Sequence, residues 1–82
     1  MGGVTHDCNV SSAESRVKGL ESNIRECQRR IEWCQGQLKG ITDKSTIALR
    51  KRTIQQEREK IKRLREQLKK AKEHLREAKK RN

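Results

Sequence analysis

The sequence predicts an all-α protein, an antiparallel two-helix coiled-coil hairpin. Charged residues make up 40% of the chain, a composition typical of long helices. Apolar residues recur at alternating spacings of three and four, which is the pattern of a heptad seam. A short stretch of turn-forming residues divides the chain, and a short connection makes neighbouring helices antiparallel.

Residues 1–10 are predicted to form a flexible N-terminal tail, because they hold two of the five glycines and no helix-forming run. A helix-start signal follows. Ser11, with Glu14 three residues later, forms a capping box that satisfies backbone N–H groups of a first helical turn. We therefore expect the first helix to span about residues 11–40.

The first helix carries one uninterrupted heptad seam. Its a positions are Val10, Val17, Ile24, Ile31 and Leu38, and its d positions are Ala13, Leu20, Cys27, Cys34 and Ile41. A seam of this kind buries one face of a helix against a partner helix. We interpret the two cysteines on it as small apolar residues of the core.

The chain is expected to turn at about residues 40–43, where Gly40 stops the first helix and Thr42 and Asp43 cap the second. The second helix is then expected over about residues 43–80, so that residues 11–82 form a single helical hairpin. Its a positions are Ile47, Ile54, Ile61, Leu68 and Leu75, and its apolar d positions are Leu64, Ala71 and Ala78. Two further d positions are polar, Arg50 and Glu57.

Folding at this turn pairs residues whose numbers sum to about 86, which sets the register of the two helices. It places Cys27 near Glu57 and Cys34 near Arg50. On one flank of the seam, it places Glu14 opposite Lys72 and Glu21 opposite Arg65. One hairpin buries only one seam in a chain with 29% hydrophobic residues, so we expect a homodimer that forms a four-helix bundle.

The positive charge is concentrated in the second helix. Residues 11–41 hold six basic and four acidic side chains, whereas residues 45–82 hold fifteen basic and five acidic ones. Basic residues fill consecutive b and e positions with no acidic residue among them. We call this set the basic row: Arg58, Lys62, Arg65, Lys69, Lys72, Arg76 and Lys79.

The basic row favours binding to the phosphate backbone of RNA or DNA, because its average step of about 5 Å is close to the spacing of phosphates along a strand. Base-specific readout is not expected, since Phe and Tyr are absent and there is no Asn or Gln cluster at a helix start. Two alternatives stay open. The row can be an ordinary solvated helix face, or it can match an acidic protein surface.

Trp33 and Leu49 form the one apolar spot expected outside the core, since both occupy c positions and the turn brings them close. An exposed Trp beside Leu is typical of a protein-interaction site. A coiled-coil adaptor or inhibitor that uses this patch is therefore the alternative function. Packing of the patch against the loop or a second copy of the chain is the other interpretation.

No catalytic residues, metal site or cofactor are expected, because no nucleophile, base and orienting group are clustered, and no Gly-rich phosphate loop occurs. The cysteines lack the close spacing of zinc ligands, and three cysteines cannot form a closed set of disulfides. No window has the 18 apolar residues of a membrane span, and no start resembling a secretory signal is present. We expect a cytoplasmic protein that is not an enzyme.

Overall fold

The computed structural model describes the backbone of residues 2–80 and the side chains of residues 10–80. Two helices, α1 (Gly2–Leu38) and α2 (Lys44–Lys80), each 37 residues long, pack against each other along their length. The rod measures 64 × 15 × 13 Å. The predicted all-α class with two packed helices is confirmed, and within the described residues neither helix is long and apolar enough to span a membrane.

The start of α1 differs from the prediction. The helix begins at Gly2, so that residues 2–10 have helical backbone, whereas the prediction started the helix at about residue 11. The Ser11–Glu14 capping box therefore lies inside the helix. No proline separates the two segments, and helix propagation adds a backbone hydrogen bond for each residue once a turn has formed.

The first helix ends through two tightened turns. The Lys39 N–H donates to the Gly36 carbonyl at 3.3 Å and the Gly40 N–H donates to the Gln37 carbonyl at 3.4 Å. These i to i−3 bonds satisfy carbonyls that an α-helix leaves free at its end. Gly40 does not have a positive φ, so it stops the helix without the left-handed cap that its position suggested.

Asp43 caps the start of α2. Its Oδ2 accepts hydrogen bonds from the Thr46 backbone N–H at 3.1 Å and from the Thr46 hydroxyl at 2.7 Å. These bonds favour the charged carboxylate, so the Thr46 hydroxyl and N–H lower the pKa of Asp43. The capping role predicted for Asp43 is confirmed.

All buried hydrophobic residues of the described chain occupy predicted seam positions. In the half of the hairpin far from the loop, Val17, Leu20 and Ala71 form one buried cluster with Leu64, Leu68 and Leu75 packed against it. We call residues 10–23 and 62–80 the loop-distal half, and residues 24–61 the loop-proximal half.

The buried seam of the loop-proximal half mixes apolar and polar residues. Ile24, Cys27 and Ile61 form its cluster, and Cys34 and Ile54 are also buried. Cys27 lies beside Glu57, as the predicted register requires. Both polar d residues, Arg50 and Glu57, are half-buried.

Candidate nucleic-acid interface

All seven side chains of the basic row are exposed, and they follow one side of α2. Positions b and e repeat at spacings of three and four, so the row extends straight along the helix for about 31 Å. Among residues 10–80, the ion pairs within 4.0 Å join Arg30 to Glu26, Arg30 to Glu57 and Lys80 to Glu77. Within that part of the chain, no member of the row is in contact with a carboxylate.

A shallow groove of about 590 Å³ runs beside the row, between the two helices. Its floor includes Ile61, and Gln28 of α1 forms the opposite edge. Four residues of the row and one acidic residue complete its lining: Arg58, Lys62, Arg65, Lys69 and Glu66. The groove combines a cationic edge with a neutral one.

A second concavity of about 370 Å³ continues the first toward the loop. Arg58 lines both, so the two form one path, which we call the interhelical groove. Lys51 stands on the cationic edge of this second part and Gln35 on the edge formed by α1. Its floor is apolar, with Ile54 and Leu38.

The groove does not coincide with the predicted row. Lys51 lines it but was not among the predicted residues, although its e position one heptad before Arg58 is a signal that could have identified it. The last three residues of the row line neither part of the groove: Lys72, Arg76 and Lys79. The structure therefore brings only part of the row together with α1.

The edge formed by α1 changes along its length. Gln28 and Gln35 occupy e positions beside the groove, and the preceding e positions hold Glu14 and Glu21, both half-buried. The two expected ion pairs, of Glu14 with Lys72 and of Glu21 with Arg65, do not form within 4.0 Å in the described chain. Long lysine and arginine side chains at exposed flanking positions gain too little from one ion pair to hold a single geometry.

Trp33 and Leu49 lie on the other side of the hairpin, and each is 57% exposed. The guanidinium carbon of Arg50 lies 5.0 Å from the centroid of the Trp33 ring, within the range of a cation–π interaction. Arg50 Nε is buried and has no hydrogen-bond partner among the described atoms. The contact with Trp33 is the interaction that the structure shows for this guanidinium.

Glu57 is the centre of a polar network between the helices. Arg30 Nη1 donates to both of its oxygens, at 3.1 and 3.4 Å, and the Cys27 thiol lies beside it. The hydrogen bond from Cys27, with help from Arg30, lowers the pKa of Glu57, although its partial burial acts in the opposite direction. Burial and the same carboxylate raise the pKa of Cys27. This network supports the fold and lies inside the seam, away from the basic row.

Residues 10–80 contain no cluster of three or more His, Cys, Asp or Glu side chains that could hold a metal ion. Cys27 and Cys34 are both buried and free. No known protein family, no curated protein and no solved structure matches the chain.

Proposed function

We propose that the chain is a non-enzymatic module that binds the backbone of RNA or DNA without base-specific readout, as an accessory factor of a nucleoprotein complex. The observation that carries the proposal is the basic row itself. Seven exposed cations follow one side of α2, and none has a carboxylate of residues 10–80 within 4.0 Å. Such a row can neutralise several phosphates at once and release their counterions.

The side chains near the row favour contacts with phosphates over contacts with bases. The groove is lined by Lys, Arg, Gln and Glu side chains above an aliphatic floor, with no aromatic ring to stack a base. The single Trp of the chain lies on the other side of the hairpin. Lysine and arginine contacts to phosphate oxygens position a protein on a nucleic acid but carry no sequence information.

A solvated helix face is the competing explanation of the row, and it can be tested directly. Labelled double-stranded RNA, double-stranded DNA and single strands would be titrated with the protein across a salt series. We expect a micromolar or tighter complex near physiological salt, with a slope of log affinity against log salt that indicates at least four neutralised phosphates. Binding that disappears by that salt concentration would contradict the proposal.

Charge reversal locates the binding side with a matched control. Replacing Lys62, Lys69 and Arg76 by Glu removes two lysines and one arginine from the basic row. Replacing Lys60, Lys70 and Arg63 by Glu removes the same residue types from the other side of α2. We expect the first variant to lose binding at physiological salt and the second to retain most of it. Equal losses would mean that net charge alone drives the interaction.

A second candidate function is favoured by the exposure of Trp33 and Leu49, which is 57% for each side chain. A coiled-coil adaptor or inhibitor could dock on another protein through this patch, or could present the basic row to an acidic surface. Trp33→Ala distinguishes the first of these from nucleic-acid binding. Under our proposal the substitution leaves nucleic-acid affinity unchanged, whereas apolar docking on a captured partner would be lost.

Self-association is part of the proposal. Nine apolar seam residues remain half-exposed in the single hairpin: Val10, Ile31, Leu38, Ile41, Ile47, Leu64, Leu68, Leu75 and Ala78. A homodimer that forms a four-helix bundle would cover them, and sedimentation equilibrium would detect its mass. Arg50→Leu tests whether the polar layer specifies the assembly, which is excluded if the dimer is unchanged or tighter. A cytoplasmic location suits two buried, reduced cysteines.

A further inference from the structure

The two ends of the basic row face different side chains of α1. Gln28 and Gln35 line the interhelical groove together with Arg58 and Lys51. The hydrogen bond from Arg30 to Glu57, with Cys27 beside the same carboxylate, shows the register of the helices. Extending this register away from the loop places Glu21 level with Arg65 and Glu14 level with Lys72.

Glutamine and glutamate on α1 differ in their effect on the attraction between the α2 cations and a phosphate. An amide adds no charge, so the cations opposite Gln28 and Gln35 keep their full attraction for a phosphate. The carboxylates of Glu14 and Glu21 repel a phosphate bound to the cations opposite them. This repulsion does not require an ion pair within 4.0 Å, because charges at a protein surface interact more strongly than charges in bulk water. The seven cations are therefore not equivalent as anion ligands.

The charge across the groove is also one-sided. The e and b positions of α1 between residues 14 and 39 carry three basic and three acidic side chains, so only the α2 edge is cationic. A double helix presents two backbones separated by a groove about 12 or 6 Å wide, and both need cations. Near Gln28 and Gln35, one cationic edge, one neutral edge and an aliphatic floor suit a single strand, with its phosphates along α2.

We propose that the interhelical groove between Lys51 and Lys69 is a binding site for a single strand of nucleic acid, whose phosphates are held chiefly by Lys51, Arg58 and Lys62. This inference rests on the proposed function and narrows its substrate class and its site. The path is about 27 Å long. With no aromatic side chain in its lining, the site holds the strand by charge and does not distinguish sequences.

Two triple variants test the site with equal chemistry. The first carries Lys51→Gln, Arg58→Gln and Lys62→Gln, and the second carries Lys72→Gln, Arg76→Gln and Lys79→Gln. Each removes two lysines and one arginine from the e and b positions of α2. The probe is a labelled oligothymidylate, measured by fluorescence anisotropy across a salt series, and circular dichroism checks that each variant stays helical.

We expect the first triple variant to lose about 50-fold in affinity at 0.15 M salt, and its salt slope to fall by about 2, because each phosphate contact of a single strand contributes about 0.7 to the slope. The second should lose less than about 4-fold, the effect of one such contact. Equal losses would overturn the inference while leaving the proposed function intact. If the wild-type chain binds no nucleic acid, both fail.

Substitutions on α1 test the same idea without touching a cation. Gln28→Glu with Gln35→Glu should weaken binding of the oligothymidylate, and Glu14→Gln with Glu21→Gln should strengthen it by extending the neutral edge. A wild-type chain that binds duplex DNA more tightly than the single strand, at equal salt, would overturn the assignment of the substrate class. Insensitivity to both α1 pairs would overturn the role of the glutamines.

Discussion

The two halves of the hairpin are held together by different chemistry. In the loop-distal half, the buried cluster and its neighbours are alanine, valine and leucine. In the loop-proximal half, the seam includes two cysteines, a carboxylate that bonds Arg30 and Cys27, and an arginine stacked on Trp33. Both halves follow the same heptad spacing, so the difference lies in the side chains that fill it.

The comparison separates two contributions to the fold. Aliphatic layers stabilise the hairpin in proportion to the area they bury, but similar layers tolerate a shift of one heptad. A polar layer contributes little net free energy, and it is satisfied in only one alignment. Buried apolar residues occur in both halves, so both contribute to stability, and we infer that the Glu57 network adds a preference for one register in the loop-proximal half.

The largest effect is expected from Leu20→Ala, which removes a buried side chain from the loop-distal cluster. The substitution should lower the free energy of unfolding by about 3 kcal/mol, through lost apolar burial and the cavity that remains. Urea unfolding followed by circular dichroism measures it. The protein concentration must be held constant, because self-association makes the midpoint depend on concentration.

The matched variant is Leu38→Ala, which truncates a half-buried leucine at the seam near the loop. Its cost should be about 1 kcal/mol, because less apolar surface is lost and solvent can fill the space. A larger loss for Leu38→Ala than for Leu20→Ala would show that the loop-proximal half holds the hairpin together and would reverse the comparison.

The helices and their alignment could be predicted from the sequence, whereas several side-chain contacts could not. Heptad spacing is set by helix geometry, so it identified every buried residue of the described seam and the meeting of Cys27 with Glu57. The cap at Asp43 followed from the residue type and the position. Such features depend on the backbone, which a periodic pattern determines well.

Contacts made by long side chains depend on rotamers, which spacing does not determine. Arg30, at a flanking g position, reaches Glu57, whereas the expected pairs of Glu14 and Glu21 do not form within 4.0 Å in the described chain. The start of α1 was missed because a strong cap signal at Ser11 outweighed the weak helix propensity of the residues before it. The position of Lys51 on the groove could be recognised only from the packed helices.

Glu57→Leu tests the comparison of the two halves, because it replaces the carboxylate of the loop-proximal seam by an apolar side chain. We expect the free energy of unfolding to rise by about 1 kcal/mol, because an apolar d residue replaces a partly desolvated carboxylate. Arg30 is not left buried and unpaired, since half of its side chain is exposed and Glu26 lies 3.7 Å away. Urea unfolding measures the change, with Glu57→Gln as the uncharged control. A loss of stability for Glu57→Leu would show that the network is a net source of stability.

A smaller effect is expected at the end of the loop-proximal half, from Asp43→Ala. The substitution removes the acceptor of two hydrogen bonds from Thr46 and leaves a backbone N–H of the first turn of α2 without its cap. We expect the melting temperature to fall by about 5 °C. Asp43→Asn retains a capping oxygen and should change the melting temperature little. Equal losses for the two variants would assign the effect to the charge of Asp43 near the helix N-terminus and not to the cap.

The smallest effect is a pH dependence that belongs to the loop-proximal half. The hydrogen bond from Cys27 lowers the pKa of Glu57 below its ordinary value of 4.5, so its contribution is present above pH 4.5 and is lost as the pH falls through the lowered pKa. Cys27 contributes to the pH dependence in the alkaline range. Burial raises its pKa above 9.0, so the neutral thiol stabilises the fold below pH 9.0 and this contribution is lost above it.

Melting curves of the wild type and of Glu57→Gln between pH 7 and pH 3 test the expected loss of stability at acidic pH. The wild type should lose up to about 1 kcal/mol more than the variant across this range, since the Arg30 partner is half-exposed and solvent screens the pair. Parallel curves would mean that Glu57 binds its proton equally well in the folded and unfolded chains, and that the network does not stabilise the charged carboxylate. In that case the alignment of the helices would rest on the shape of the seam alone, and Glu57→Gln would hold the register as well as the wild type does.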